Sequence, residues 1–206
     1  MSRSNSSFNN RSKSFKSRKV DQFSPRKTIL VVCQGEQTEP NYFKKFGSEW
    51  LTVRIETVGK DVNAVIDRAK KIKKDFDEIW VVFDKDDFSD STFDNAIQSA
   101  KSSKIKVAYS NECFEVWYIL HFEFLNTEIP RKEYYTKLEK ILNCKYAKNN
   151  NFMYERLKDR MGIAIANAKR LIDLYGTSSH PSKDNPSTTV HLLVQELIEQ
   201  AKPRYR

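Results

Sequence analysis

Nowhere in the 206 residues is there a run of about eighteen apolar side chains, so the sequence offers no membrane-spanning helix. The opening residues also lack the apolar stretch that a secretory signal places between its basic start and its cleavage site. A soluble, unsecreted chain is expected. Cysteine is scarce: Cys33, Cys113 and Cys144 give an odd count at wide spacing, which suits neither a disulfide framework nor a CxxC zinc site. That usage points to a reducing cytoplasm, with Cys33 and Cys113 read as small buried hydrophobes. A GxxxxGK[ST] loop is missing, which argues against ATP hydrolysis by this chain alone. No nucleophilic Asp or Cys loop follows the first apolar run, which argues against a metabolic phosphatase, and there is no internal repeat.

What is present is charge, unevenly placed. The formal net charge is +9, yet residues 1–27 hold eight basic side chains (Arg3, Arg11, Lys13, Lys16, Arg18, Lys19, Arg26, Lys27) against Asp21. The remainder is nearly balanced, so any basic surface on it is a local patch. Residues 1–27 are rich in Ser, Asn, Arg and Lys without a periodic apolar face, the composition of a disordered tail. Such a tail either neutralises phosphates on a nucleic acid or serves as a solubilising leader.

From Thr28 the texture changes. Ile29-Leu30-Val31-Val32-Cys33 is a continuous branched run, the pattern of a strand buried on both faces. A helix over 41–51, a strand over 53–58 and a helix behind Asp61 carrying Val62, Val65, Ile66, Ala69 and Ile72 are expected next. The third strand, Ile79-Trp80-Val81-Val82-Phe83, stops at Asp84-Lys85-Asp86-Asp87. A helix over 92–102 and a strand over 105–109 complete an alternation that predicts a parallel sheet with helices on both faces. The last third reads as helical, over 115–122, 132–142, 154–175 and 188–201, with Ser187 or Thr188 as the final N-cap. The expected organisation is a basic tail over 1–27, an α/β core over 28–124 and a helical extension over 125–206 packed on it.

Ligands of an open parallel sheet bind outside the carboxyl ends of its strands. Gln34-Gly35-Glu36-Gln37-Thr38-Glu39 follows the first strand, Asp84, Asp86 and Asp87 follow the third, and Asn111, Glu112 and Glu115 follow the fourth. Carboxylates gathered in one cleft repel one another unless a cation lies between them. Oxygen ligation without paired His or Cys favours Mg2+ or Mn2+ over zinc. Asp84 and Asp86 are two apart, so in an extended segment both can face one ligand. The plainer alternative is that Asp and Asn after strands are turn formers, and that Asp90 or Asp94 caps a helix. His121 is either an acid or base near the site or a packed, hydrogen-bonded histidine. Trp80, Phe114 and Trp117 read as core. Lys27, Lys60, Lys85 and Arg170 are candidate nucleic-acid contacts, each also readable as a surface charge.

The stretch Ile29 to Phe43, with Gln34-Gly35-Glu36-Gln37-Thr38-Glu39-Pro40-Asn41-Tyr42 inside it, resembles the opening motif of the RloB-like family, bacterial proteins tied to phage defence and abortive infection. Ile79-Trp80-Val81-Val82-Phe83-Asp84-Lys85-Asp86, Ser110-Asn111-Glu112-Cys113-Phe114-Glu115-Val116-Trp117 and Asn185-Pro186-Ser187-Thr188 continue the match over most of residues 28–200. The family is similar to Toprim domains. That resemblance implies a Toprim-like, mainly parallel four-stranded sheet, a Glu-Gly turn after the first strand, and an Asp-x-Asp after the third that holds Mg2+. Carried over by position, Asp84, Asp86 and Glu39 are the metal carboxylates, and Glu36, Glu39 and Glu115 the candidate catalytic acids. One position departs: Gln34 stands before Gly35 where the family pattern has Glu. A neutral amide takes no proton at useful pH and neutralises no metal. Either Glu36 or Glu39 substitutes, or this copy is weakened or inactive.

Two functions follow as expectations. One is a Mg2+-dependent nuclease of an anti-phage system, cutting DNA or RNA with the basic tail holding the strand. The other is a nucleic-acid-binding or regulatory subunit that works beside an ATPase partner without cutting.

Overall fold

Burial on both faces, expected for Ile29-Leu30-Val31-Val32-Cys33, is met because β1 (Lys27–Cys33) lies inside the sheet of the computed structural model, which describes residues 26–203. Parallel neighbours flank it, β2 (Leu51–Thr57) through pairs such as Val31↔Ile55 and β3 (Glu78–Asp84) through pairs such as Val32↔Val81. Beyond β3 runs β4 (Lys106–Asn111), also parallel, with Asp84 opposite Ser110. The order is β2-β1-β3-β4-β5, where β5 is the two-residue segment Ser187–Thr188 antiparallel to β4. The architecture is thus α/β and mainly parallel, consistent with a Toprim-like fold, with one short strand more than the four expected.

Strand alternation splits the core into two layers. Leu30, Val32, Val81 and Phe83 face α2 (Val62–Ile72) and α3 (Asp90–Ser102), whose Val65, Ile66, Phe93 and Ala96 complete one cluster. Ile29, Val31, Val82 and Ala108 face the other way. They share a second cluster with α1 (Thr38–Phe43), α4 (Glu115–Ile119), α5 (Arg131–Leu142), α6 (Met153–Leu157), α7 (Met161–Tyr175) and α8 (Val190–Gln200). Residues 1–25 lie outside the described residues, and with them nearly all of the basic segment.

Several expected boundaries move. The helix expected over 41–51 is α1 followed by a 3-10 turn over Lys44–Phe46, because Tyr42, Phe43 and Phe46 plug the core and Leu51 is already in β2. The helix expected over 154–175 is interrupted by a 3-10 turn over Lys158–Arg160, a segment with no buried side chain to hold it at α pitch. Ser187 and Thr188 are strand residues and not the N-cap of α8. The Thr188 hydroxyl donates to Tyr109 O at 3.0 Å and accepts from Val190 N at 3.2 Å, so it joins sheet edge to helix start. Ser89, not Asp90 or Asp94, caps α3 by accepting from Thr92 N. Asp61 caps α2 through Asn63 N. Among the described residues no helix is long and apolar enough to cross a membrane.

Candidate functional site

Strand order reverses between β1 and β3, since the chain leaves β1 toward β2 on one side and returns to β3 on the other. A crevice at the carboxyl ends of those two strands is the position such topology favours for a ligand. A cleft of about 260 Å³ lies there, lined by residues 34–39 with Gly59, Lys60, Asp84, Asp86, Phe114, Glu115 and Lys148. The structure therefore brings together Glu36, Glu39, Asp84, Asp86, Glu115 and Lys60 of the residues singled out by sequence.

Asp84, the last residue of β3, is the floor of this cleft. Its Oδ2 accepts from Phe114 N at 3.1 Å, which ties it to the turn after β4. Its Oδ1 is buried and has no hydrogen-bond partner. Burial first, then the neighbouring Glu39, Asp86 and Glu115, pushes its carboxyl well above the usual aspartate range. Glu39 stands in the first turn of α1 and is 5 % exposed. Burial raises it to about 7, helped by Glu115 and Asp86 and opposed by its own backbone N–H and Lys148. Gly35 makes room for it: a Cβ at that position would lie 2.7 Å from the Glu39 carboxyl carbon. Glu115 opens α4 and accepts the Tyr146 hydroxyl at 2.8 Å. Glu36, by contrast, is exposed on the rim.

Gln34 is engaged on both sides of its amide. Oε1 accepts from Asp84 N at 3.1 Å and Nε2 donates to Lys60 O at 3.2 Å. A glutamate could keep the first bond but would set a carboxylate oxygen against the Lys60 carbonyl. Gly59, at φ +96, supplies the turn that presents that carbonyl.

Two cations beside the cleft were not found by sequence reasoning. Lys148 comes from the irregular segment between α5 and α6, where no periodicity marks a position. Burial works against its ammonium, but Glu115, Tyr135 and Asp84 outweigh that and raise its pKa above the ordinary lysine value. Arg131, the first residue of α5, lies 2.9 Å from Asp86 Oδ1 and 3.2 Å from Glu112 Oε1. A cation at a helix start opposes the macrodipole, and that signal was readable in Pro130-Arg131.

Other expected contacts lie elsewhere. Lys27 is at the amino end of β1, paired with Glu78 and Glu196, at the far end of the sheet from the cleft. Lys85 is 14 % exposed and paired with Asp90. Arg170 stacks on Phe124, 4.0 Å from its ring centre. His121 is fully buried, its Nδ1 2.9 Å from Trp117 O and its ring edge-on to Trp117, so it is packed rather than part of the cleft lining. Trp80, Phe114 and Trp117 are core, and Cys33 and Cys113 are buried.

A family model described as RloB-like protein matches residues 29–197, which include every residue lining the cleft. The chain belongs to the RloB-like family. No curated protein matches it significantly, and no solved structure does. In this RloB-like chain the donor set of the cleft suits a hard cation: carboxylate and amide oxygens, one of them the buried, unpartnered Asp84 Oδ1. As the side chains stand, however, no three His, Cys, Asp or Glu among the described residues are drawn together closely enough to hold a metal ion. The reason is visible in their partners, since Asp86 is paired to Arg131 and Glu115 to Tyr146.

Proposed function

We propose that this RloB-like chain is a divalent-metal-dependent phosphodiesterase that cuts nucleic acid in a bacterial anti-phage system, acting in the cytoplasm. The observation that carries this reading is the buried Asp84 Oδ1, without a partner, in a cleft of mutually repelling acids at the switch point of the sheet. A buried carboxylate oxygen left unsatisfied costs on the order of 1–3 kcal/mol, and a cation relieves that cost. Asp84, Asp86 and Glu39 are the residues that would hold Mg2+ or Mn2+. When bound, such a cation supplies Lewis acidity toward a phosphoryl oxygen and toward the attacking water.

The protein's own groups do the rest. Glu39, buried beside Asp84 at the cleft, is suited either to complete that ligand set or to take the proton of that water, roles the exposed Glu36 fits less well. Lys148, charged and exposed, faces the same cleft and offers its ammonium to a non-bridging phosphate oxygen. Lys60 lies on the rim, where the strand would pass. Asp84→Asn is expected to abolish Mg2+-dependent cleavage of bulk DNA and RNA, a loss of about 10³-fold or more. Undiminished cleavage by that variant would sink the assignment.

A second reading rests on Gln34, whose amide is used by both of its hydrogen bonds where the family pattern has an acid. In it the cleft holds nucleic acid without cutting and the chain serves beside an ATPase subunit. An inert wild type that gains cleavage on Gln34→Glu would favour this reading, and a fully active wild type would exclude it.

A further inference from the structure

Arg131 is placed where helix energetics do not want it and is held there by acids. It lies 2.9 Å from Asp86, 3.2 Å from Glu112 and 3.8 Å from Asp87, so it joins the turn after β3 to the turn after β4. Its Nη2 and Nε are nevertheless buried without an aligned hydrogen bond. The pairing is therefore a charge contact and not a locked bidentate fork, which makes it exchangeable. Asp86 itself adopts φ +43, a left-handed conformation uncommon outside glycine, and its side chain borders both the metal cleft and the neighbouring polar pocket that contains Glu112. One carboxylate thus sits between two claimants.

We propose that Arg131 is a latch on the cleft, a positioning residue that holds Asp86 in an ion pair and must release it before a divalent cation is fully ligated. This inference rests on the phosphodiesterase reading of the cleft and concerns its regulation. A cation that needs Asp86 binds only the unlatched fraction, so its apparent affinity is reduced by that fraction. A latch closed about nine-tenths of the time weakens binding about tenfold.

The test is Mn2+ binding to the full chain, followed by calorimetry and by the spin-resonance signal of free Mn2+. Arg131→Met is expected to bind Mn2+ about tenfold more tightly than wild type. Arg131→Lys keeps the charge but replaces the forked guanidinium by a single ammonium that bridges Asp86 and Glu112 poorly. It is expected to tighten binding in the same direction by a smaller factor, an outcome that neither general charge loss nor structural damage gives. Lys85→Met removes a nearby ammonium whose charge is already offset by Asp90 at 3.3 Å, and should leave the affinity within about twofold. Equal affinities in wild type, Arg131→Met and Arg131→Lys would overturn the latch and leave the metal site standing. Equal tightening by Lys85→Met would likewise overturn it. No Mn2+ binding at millimolar concentration by wild type or either Arg131 variant would overturn latch and metal site together.

Discussion

At the amino end of the sheet Lys27 and Lys106 alternate with Glu78 and Glu196, at separations of 3.2, 3.4, 2.7 and 3.6 Å. At the carboxyl end Glu39, Asp84 and Glu115 crowd one cleft whose basic lining is Lys60 and Lys148. The strands are the same, so the backbone sets neither arrangement. Each charge in the first group has an opposite charge on two sides, and Glu78 also accepts the Trp80 indole N–H at 2.7 Å. The second group is dominated by its burial and by its own repulsion, which raise Asp84 and Glu39 together. A structural ion network and the proposed ligand-binding edge differ in this way: one is neutral in itself, the other is dominated by unbalanced acids.

The sharpest way to break the comparison is to remove an acid from each end. Glu78→Ala leaves Lys27 and Lys106 to share Glu196 and is expected to cost on the order of 1 kcal/mol, read as a fall in the urea midpoint. Asp84→Asn, by contrast, should stabilise the metal-free protein by about 1 kcal/mol while destroying the proposed activity. Two losses of stability would place Asp84 in the structural class instead.

The pH dependence separates the ends further. Glu39 has a folded pKa of about 7 against an ordinary 4.5, so its favourable contribution is complete below 4.5 and is lost as pH rises toward 7. His121 and His191 act in the opposite sense. Burial lowers both to about 4, so the stability they lend is complete above 6.5 and lost as pH falls toward 4. The comparison of wild type with Glu39→Gln cancels the histidines. In metal-free buffer the two should be equally stable near pH 4, with the variant ahead by up to about 3 kcal/mol at pH 8. A difference that stays flat across this range would mean that the Glu39 carboxyl is not held in an acidic, desolvated cleft.

The contrast between the two ends was half legible in the sequence. Branched apolar runs marked β1 and β3, and the acids that stop them marked the carboxyl edge, because strand ends in a parallel sheet converge whatever the loops do. Asp84, Glu39 and Glu115 could be placed together for that reason. Lys148 could not, since an irregular loop reaches the cleft only through tertiary packing, with Thr38 Oγ1 3.5 Å from Lys148 O. The role of Gln34 was equally hidden. As a letter it is a missing acid; in the fold it is a clamp between Asp84 N and Lys60 O. Thr188 misled in the other direction, because Asn-Pro-Ser-Thr before an apolar helix has the composition of a cap, while pairing with Ser110 makes the segment a sheet edge.

The smallest expected effect on stability belongs to Gly35→Ala, and it isolates the site from the scaffold. A Cβ there would collide with the Glu39 carboxylate, the far end of a flexible side chain, and with no backbone among its nearest atoms. The carboxylate can therefore swing aside, at a cost expected to stay below about 1 kcal/mol. Displacing Glu39 removes an acid from the cleft and leaves the ring of Lys27, Glu78, Lys106 and Glu196 untouched. Urea unfolding should change little, while Mn2+ binding and metal-dependent cleavage should both fall by about tenfold or more. A Gly35→Ala protein that loses several kcal/mol would show that the glycine serves the fold of the strand-one turn. One that keeps full Mn2+ affinity would remove Glu39 from the proposed ligand set and leave Asp84 and Asp86 to hold the cation.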